Sequence, residues 1–306
     1  MLNITILSLA IAGSFQKSPF IQVSSSNTPC FSIFEKINTN HFFSSFLITN
    51  AFNSFSIVKE STFDHFITSQ SILSFSPTIE GTTIENSNFY GDTIPSNDKN
   101  KFCDGIFTRI INCKFMSITD NVHEQLKSDV GLCIFSKKNT TVDHCYFFAI
   151  LSYRSGSAII FTQEDRQIVH SNVTNSVFKS ITQNINEFGD YFNTGGAVSY
   201  GRARILDSTM YNENIQSSKT ENCCFDKVCL TGEYVNARQL GILTYMSNEV
   251  RATNINFTNN EMNGYPQRYG NICILFNQIS TNSFSFINFC NGEFTQYGIF
   301  FNDFVF

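Results

Sequence analysis

The sequence has no Trp and only 5 Pro, and Asp, Glu, Lys and Arg together supply 15% of its 306 residues. An ordinary globular chain is roughly 25% charged. With 16 Gly, this composition excludes collagen-like and Pro-rich chains. Lys plus Arg number 20 against 25 Asp plus Glu, a net charge of −5. That leaves no basic excess for a nucleic-acid partner. No stretch approaches the ~20 apolar residues of a membrane span, and the greasy tail GIFFNDFVF is too short to cross a bilayer. No Gly-rich phosphate loop, Ser-His-Asp constellation or zinc-ligand spacing occurs, so no cofactor is expected. What is present is a 42% hydrophobic content, too high for a disordered chain, with 34 Phe and 34 Asn.

Those Phe and Asn recur in register. The pattern is apolar, any, Asn-like, Ser or Cys, any, Phe, numbered −5 to 0 from the Phe. Clear copies end at Phe89 (IENSNF), Phe115 (IINCKF), Phe147 (VDHCYF), Phe178 (VTNSVF) and Met210 (ILDSTM). Weaker copies end at Phe63, Phe257 and Phe294 (FCNGEF). Successive spacings are 26, 26, 32, 31, 32, 47 and 37 residues. A Gly followed by apolar residues and an aromatic lies upstream in most units: VGLCIF (130–135), SGSAIIF (155–161), TGGAVSY (194–200), LGILTY (240–245) and YGNICILF (269–276). Each unit therefore carries about three short β-type runs.

Side-chain parity shows how these runs connect. Along a strand, positions −2 and 0 share one face and −5 takes the other. All three reach one core only if the chain turns near −3. Asn86, Asn112, His144, Asn175, Asp207 and Asn254 occupy that position, with Glu60 and Asn291 in weaker copies. Asn, Asp and His are the non-Gly residues most tolerant of the left-handed conformation a sharp corner requires. Stacked copies of such residues hydrogen-bond along the stack. The expected fold is all-β with few helices: a right-handed parallel β-helix, a solenoid of about eight coils, over residues 55–306. Residues 15–54 read as an N-terminal cap and first irregular coil. A loop insertion is expected at about 212–238, because the spacing stretches there.

The first residues, MLNITILSLAIAG, form a short apolar run with a small-x-small site at Ala10–Ala12 and no basic flank. Residues 1–14 read either as a signal peptide or as an apolar cap strand. Of the ten Cys, Cys223, Cys224 and Cys229 crowd one segment. Three thiols without a nearby His make a poor zinc site, so a disulfide cluster is expected there on export. The sequons at Asn139, Asn172 and Asn256 become N-glycosylation sites on the same condition; a fourth, Asn3, would leave with a signal peptide. The aromatic C-terminal segment, lacking a polar cap, reads as part of a longer chain or as an end that pairs with another copy.

Gly195-Gly196-Ala197-Val198 and Phe257-Thr258-Asn259-Asn260 resemble the GGAI and FxxN repeats of polymorphic outer-membrane-protein-like surface proteins. More broadly, residues 55–300 resemble the right-handed β-helix, pectin-lyase-like superfamily. The resemblance implies surface display and adhesion, with extracellular glycans or host surface proteins as partners.

The same superfamily hosts polysaccharide lyases and glycoside hydrolases, whose chemistry requires a carboxylate pair or a calcium cluster on neighbouring coils. Asp143 meets Ile111 and Thr174 at its own position one coil away. The polygalacturonase-type signatures are absent. The densest polar group is Glu164-Asp165-Arg166, with His170 four residues on; it is either a solvated turn or a ligand-contact loop. His41, His65 and His123 read as isolated. The expectation is therefore a non-catalytic, secreted or surface-associated adhesion protein; a lyase or hydrolase with an unrecognised site is the alternative.

Overall fold

In the computed structural model, described residues are 2–14, 20–25, 28–42, 45–51, 55–68, 72–75, 81–93, 103–105, 109–120, 133–152, 158–163, 168–185, 191–192, 194–206, 209–213, 215–232, 240–264, 272–277, 281–291 and 297–302. Among them there is no helix. Two large sheets of 16 and 10 strands are parallel throughout, and a three-stranded antiparallel sheet stands beside them.

Each repeat contributes a strand before the Asn corner, a strand after it, and a strand in the second sheet. The Phe147 coil supplies Thr140–Asp143, Tyr146–Ser152 and Ile159–Phe161. Each pairs with its counterpart one repeat on: Val142 with Val173, Phe147 with Phe178, and Ile160 with Ser199. Parallel pairing between repeats and not within them makes the fold a β-helix-like solenoid.

The structure departs from an open stack of eight coils in two respects. The second sheet contains ten rungs, from Ile21–Ser25 to Tyr297–Asn302. The long strands Cys30–Phe42 and Ile215–Gly232 run through the corner unbroken, so each pairs with strands on both sides of it. The pairing path therefore closes: five strands before the corner, five after it and these two make a twelve-strand ring.

Backbone hydrogen bonding explains the corner. At −3, the N–H donates forward to the next coil, as in Asn86 N to Ile111 O (3.0 Å). Two residues later the direction reverses: Asn88 N donates back to Ser61 O (2.8 Å) and Tyr146 N to Cys113 O (2.9 Å). The −3 residue makes the switch by adopting positive φ, 50° at Asn86, 51° at Asn112 and His144, and 49° at Asn175. Left-handed backbone costs an ordinary residue about 1–2 kcal/mol, and Asn, Asp and His offset it with local hydrogen bonds. Inside the corner, the −2 side chain satisfies the −4 carbonyl of its own coil: Ser87 Oγ at 2.9 Å, Ser176 Oγ at 2.7 Å, and Cys113, Cys145 and Cys223 Sγ at 3.3 Å. This is why either Ser or Cys serves there from Ser61 to Cys223.

The core is a column of rings. Phe63, Phe89, Phe115, Phe147, Phe178, Phe225, Phe257 and Phe289 stack coil on coil, with centroids 4.7–5.2 Å apart and planes within 12°. That separation is the interstrand distance of a sheet. A shorter column, Phe161, Tyr200 and Tyr245, rises from the second sheet. Thr220 Oγ1 bonds both Tyr hydroxyls, at 2.9 and 2.7 Å, so these buried polar groups are satisfied.

Three expectations are corrected by this column. The copy ending at Met210 is not a coil: Ile205 pairs antiparallel with Met210 in the small sheet. The coil at that level ends at Phe225, with Asn222 at the corner (φ 53°); Asp207 lies outside the described residues. The last described coil ends at Phe289, the ring that stacks on Phe257, so Asn291 follows the column by two residues at the second corner (φ 51°); Phe294 lies outside the described residues. The loop at 212–238 is instead largely strand, since Ile215–Gly232 pairs along its length with both neighbouring coils. The extra residues lie upstream, where the antiparallel strands Arg202–Leu206 and Thr209–Glu213 leave the stack.

Candidate functional site

Inward positions repeat because the core requires it, so recognition depends on outward ones. On the strands after the corner, these are −1 and +1. Most carry polar residues: Asn88, Lys114, Lys179, Asp226, Asn256 and Thr258. One stretch breaks the pattern. Tyr90, Met116 and Phe148 follow one another at +1 in three consecutive coils, and Tyr146 and Val177 adjoin them at −1. All five are half-buried. Tyr146 and Phe148, two apart on one strand, lie with ring centroids 5.8 Å apart and planes 11° apart. An apolar row of this kind on a solvent face marks an interaction surface more often than a scattered exposed residue does.

The platform is edged by polar groups held in place. Asp143, three residues before Tyr146, accepts from Thr174 Oγ1 (2.6 Å) and Asn175 Nδ2 (2.8 Å) through Oδ1, and its Oδ2 lies 2.9 Å from His144 Nδ1. Burial opposes ionisation of this carboxyl, but the bonds from Thr174, Asn175 and His144 outweigh it and hold its pKa below the usual Asp value. Asp226 repeats the device one corner on, with Thr258 Oγ1 at 3.0 Å, Asn259 Nδ2 at 2.9 Å and Lys179 Nζ at 3.5 Å. Lys179 follows Phe148 in the platform row. An amide ladder runs along the corner, from Asn254 to Asn222 (2.9 Å) and from Asn222 to Asn175 (3.0 Å).

Glu164, Asp165 and Arg166 lie outside the described residues. His170 bonds Ser217 Oγ through Nδ1 (2.6 Å), and its backbone N–H donates to Asn139 Oδ1 (2.8 Å). Asn139 is exposed just before a strand, whereas Asn172 and Asn256 are half-buried within strands, each flanked by a coil on both sides. Cys223, Cys224 and Cys229 are free thiols. Cys223 and Cys224 are adjacent on a strand and face opposite sides, so they cannot bridge each other; a second positive-φ corner at Lys227 separates both from Cys229. Asp143 has Ile111 and Thr174 as cross-coil partners, and Asp226 has Lys179 and Thr258. Neither meets a second carboxylate at its own register position.

Two features escaped sequence reasoning. The aromatic row was hidden among 34 Phe, although parity around each motif Phe would have exposed it. His41 and His65, expected to be isolated, stack on each other at a second corner two residues after the motif Phe position.

No family model, no curated protein and no solved structure matches this chain.

Proposed function

We propose that the chain is a non-catalytic, surface-associated protein, with the right-handed parallel β-helix architecture of the pectin-lyase-like superfamily, that contacts extracellular glycans. The carrying observation is the outward row of Tyr90, Met116 and Phe148, with Tyr146 stacked beside it. Aromatic faces present flat apolar area at low entropic cost, and sugar rings offer a matching apolar face. The hydrogen-bonding rim of Asp143, His144, Asn175 and Lys179 supplies the polar partners that orient a ligand over such a platform.

Affinity electrophoresis through immobilised neutral and acidic polysaccharides tests the reading. Retardation of the full chain that is lost in Tyr146→Ala and Phe148→Ala, with melting temperature unchanged, is the expected result. Retardation that survives both changes removes the platform from the proposal. Release of new reducing ends or unsaturated products would replace it with the lyase or hydrolase reading. Surface placement is a separate part of the proposal. Asn139, the exposed sequon of the three beyond the first strand, should carry an N-glycan when the chain is expressed in its native cell type. A mobility shift on glycan removal that vanishes in Asn139→Gln is expected; no shift counts against export.

A further inference from the structure

The second corner is built like the first, but with mixed residues. His41 (φ 55°), His65 (φ 49°), Ser117 (φ 53°), Ala149 (φ 53°) and Ser180 (φ 54°) occupy it; the coil between His65 and Ser117 has no residue there, since its Gly91 pairs with Phe66 and Ile118. Small side chains follow the two His, so the pair projects from the corner without a bulky neighbour on that side. The imidazoles lie face to face, centroids 4.8 Å apart and planes 5° apart. His41 is exposed, and the His65 side chain is 64% exposed. Asp64 Oδ1 lies 3.0 Å from His65 Nδ1. A carboxylate on one ring nitrogen orients the imidazole and leaves the Nε2 lone pair facing outward for a metal.

We infer that His41 and His65, with Asp64 behind His65, form a two-imidazole site for one divalent transition-metal ion of the class that prefers nitrogen donors: nickel(II), copper(II) or zinc(II). Metal–imidazole bonds of about 2.0–2.1 Å require the two Nε2 atoms to approach to about 3 Å. Exposed rings already parallel at one interstrand spacing reach that by tilting toward each other. Imidazole suits these ions, whereas calcium and magnesium require oxygen ligands. Among the described residues no three of His, Cys, Asp and Glu converge as a metal site, so the protein supplies two ligands and water or a partner's donor fills the rest. Asp64 acts from the outer shell.

The molecule contains its own control. Asp143 and His144 make the same carboxylate–imidazole pair at the first corner, 2.9 Å apart. There, Asn112 and Asn175 flank His144 in the neighbouring coils, so a single imidazole stands alone.

The test is calorimetric titration of the untagged full chain with nickel(II), then zinc(II), in wild type and in His41→Asn, His65→Asn, Asp64→Asn and His144→Asn. Asn is accommodated at this corner, as Asn259 and Asn291 show (both φ 51°), so these changes spare the backbone; metal-free melting curves verify it. Either change at the paired His should weaken binding at least about tenfold, and Asp64→Asn about 10-fold or more. His144→Asn should leave affinity within about twofold. Wild-type affinity in either paired-His variant, an equal loss in His144→Asn, or no binding by the wild type overturns the inference.

Discussion

Replacing Phe147 by Ala removes one ring from the middle of the aromatic column. Phe147 is fully buried, with Phe115 5.0 Å away on one side and Phe178 4.7 Å away on the other, planes within 3°. Three contributions are lost: transfer of the ring from water, the contacts across the resulting cavity, and two stacking pairs worth about 0.5–1.5 kcal/mol each. Backbone pairing holds the coils one strand spacing apart, so the neighbouring rings cannot close the gap. The total should fall in the range of about 3–5 kcal/mol for a buried Phe→Ala change. Phe289, in the last described strand of its sheet, stacks on Phe257 at 5.2 Å and is only partly buried. Its loss should cost about half as much or less. In a solenoid, stability sums over coils and their nearest-neighbour interfaces, so an interior ring supports two interfaces where a terminal ring supports one. Urea unfolding, followed by circular dichroism and tryptophan-free tyrosine fluorescence, reads both values; an unchanged slope verifies that the same surface is exposed. A loss below about 1 kcal/mol at Phe147, or equal losses at Phe147 and Phe289, would refute the argument that the column is a load shared coil by coil.

Other expectations follow from the same geometry. Asn175→Ala should destabilise by about 1–2 kcal/mol, because Ala at φ 49° carries the full left-handed penalty and the bond to Asp143 is lost; Asn175→Gly should recover the backbone part in a melting comparison. Gly91→Ala should cost roughly 3 kcal/mol or more, since its new Cβ would lie 2.4 Å from Phe66 N at φ 141°; normal expression and melting would contradict this. Asp143 and Asp226 both titrate below the usual Asp range in the folded chain, where burial is outweighed by donated hydrogen bonds. Their contribution is therefore complete above the unfolded Asp pKa of about 3.9 and is lost as pH falls through the depressed folded values. Asp143→Asn should lower stability at neutral pH and flatten the acid limb of a pH–melting profile. Burial pushes the Cys223 thiol up to about 12 and raises those of Cys133 and Cys145, so alkylation of the native chain near neutral pH should label exposed Cys290 and spare these three until the chain unfolds; early labelling of Cys223 would count against its burial.

The part of the fold that sequence revealed was the part where successive coils reuse one solution. From Phe89 to Phe225, rings fill the column at 0, a small hydroxyl or thiol reaches the −4 carbonyl from −2, and Asn or His stands at −3; outside that run Thr39 takes the column position and Ile255 and Ile287 take −2. Five of the six expected corner residues, Asn86, Asn112, His144, Asn175 and Asn254, have positive φ of 50–52° or 49° in the structure. The sixth went astray for a physical reason. ILDSTM matches the pattern with an apolar −5 residue, whereas the coil at that level has Thr220 there, which looks wrong until Tyr200 and Tyr245 are seen to need its hydroxyl. The second corner left no signature, because backbone pairing on both sides holds Ala149, Ser180 and Lys227 in left-handed geometry as readily as His65. Contacts between coils carry the same limit. His41 and His65 are 24 residues apart, and nothing in their local sequence announces that they share a register position.

This division between inward and outward positions shapes where function can arise. An inward substitution is felt by the coils above and below at once, so each inward row converges on one chemistry. An outward residue meets its counterparts at the same short spacing, but only solvent constrains it, and rows can drift independently. A run of like residues along an outward row therefore has no packing cause. The amide run through Asn175, Asn222 and Asn254 has a visible benefit, since each side chain satisfies the next. The Tyr90–Met116–Phe148 row gains no such mutual satisfaction and leaves apolar surface half in water, at a cost of roughly 25 cal/mol for each Å² left exposed. A chain with polar alternatives at the same positions in its other coils had an inexpensive way to avoid that cost. Its presence across three consecutive coils is the physical ground for the glycan contact proposed at this face.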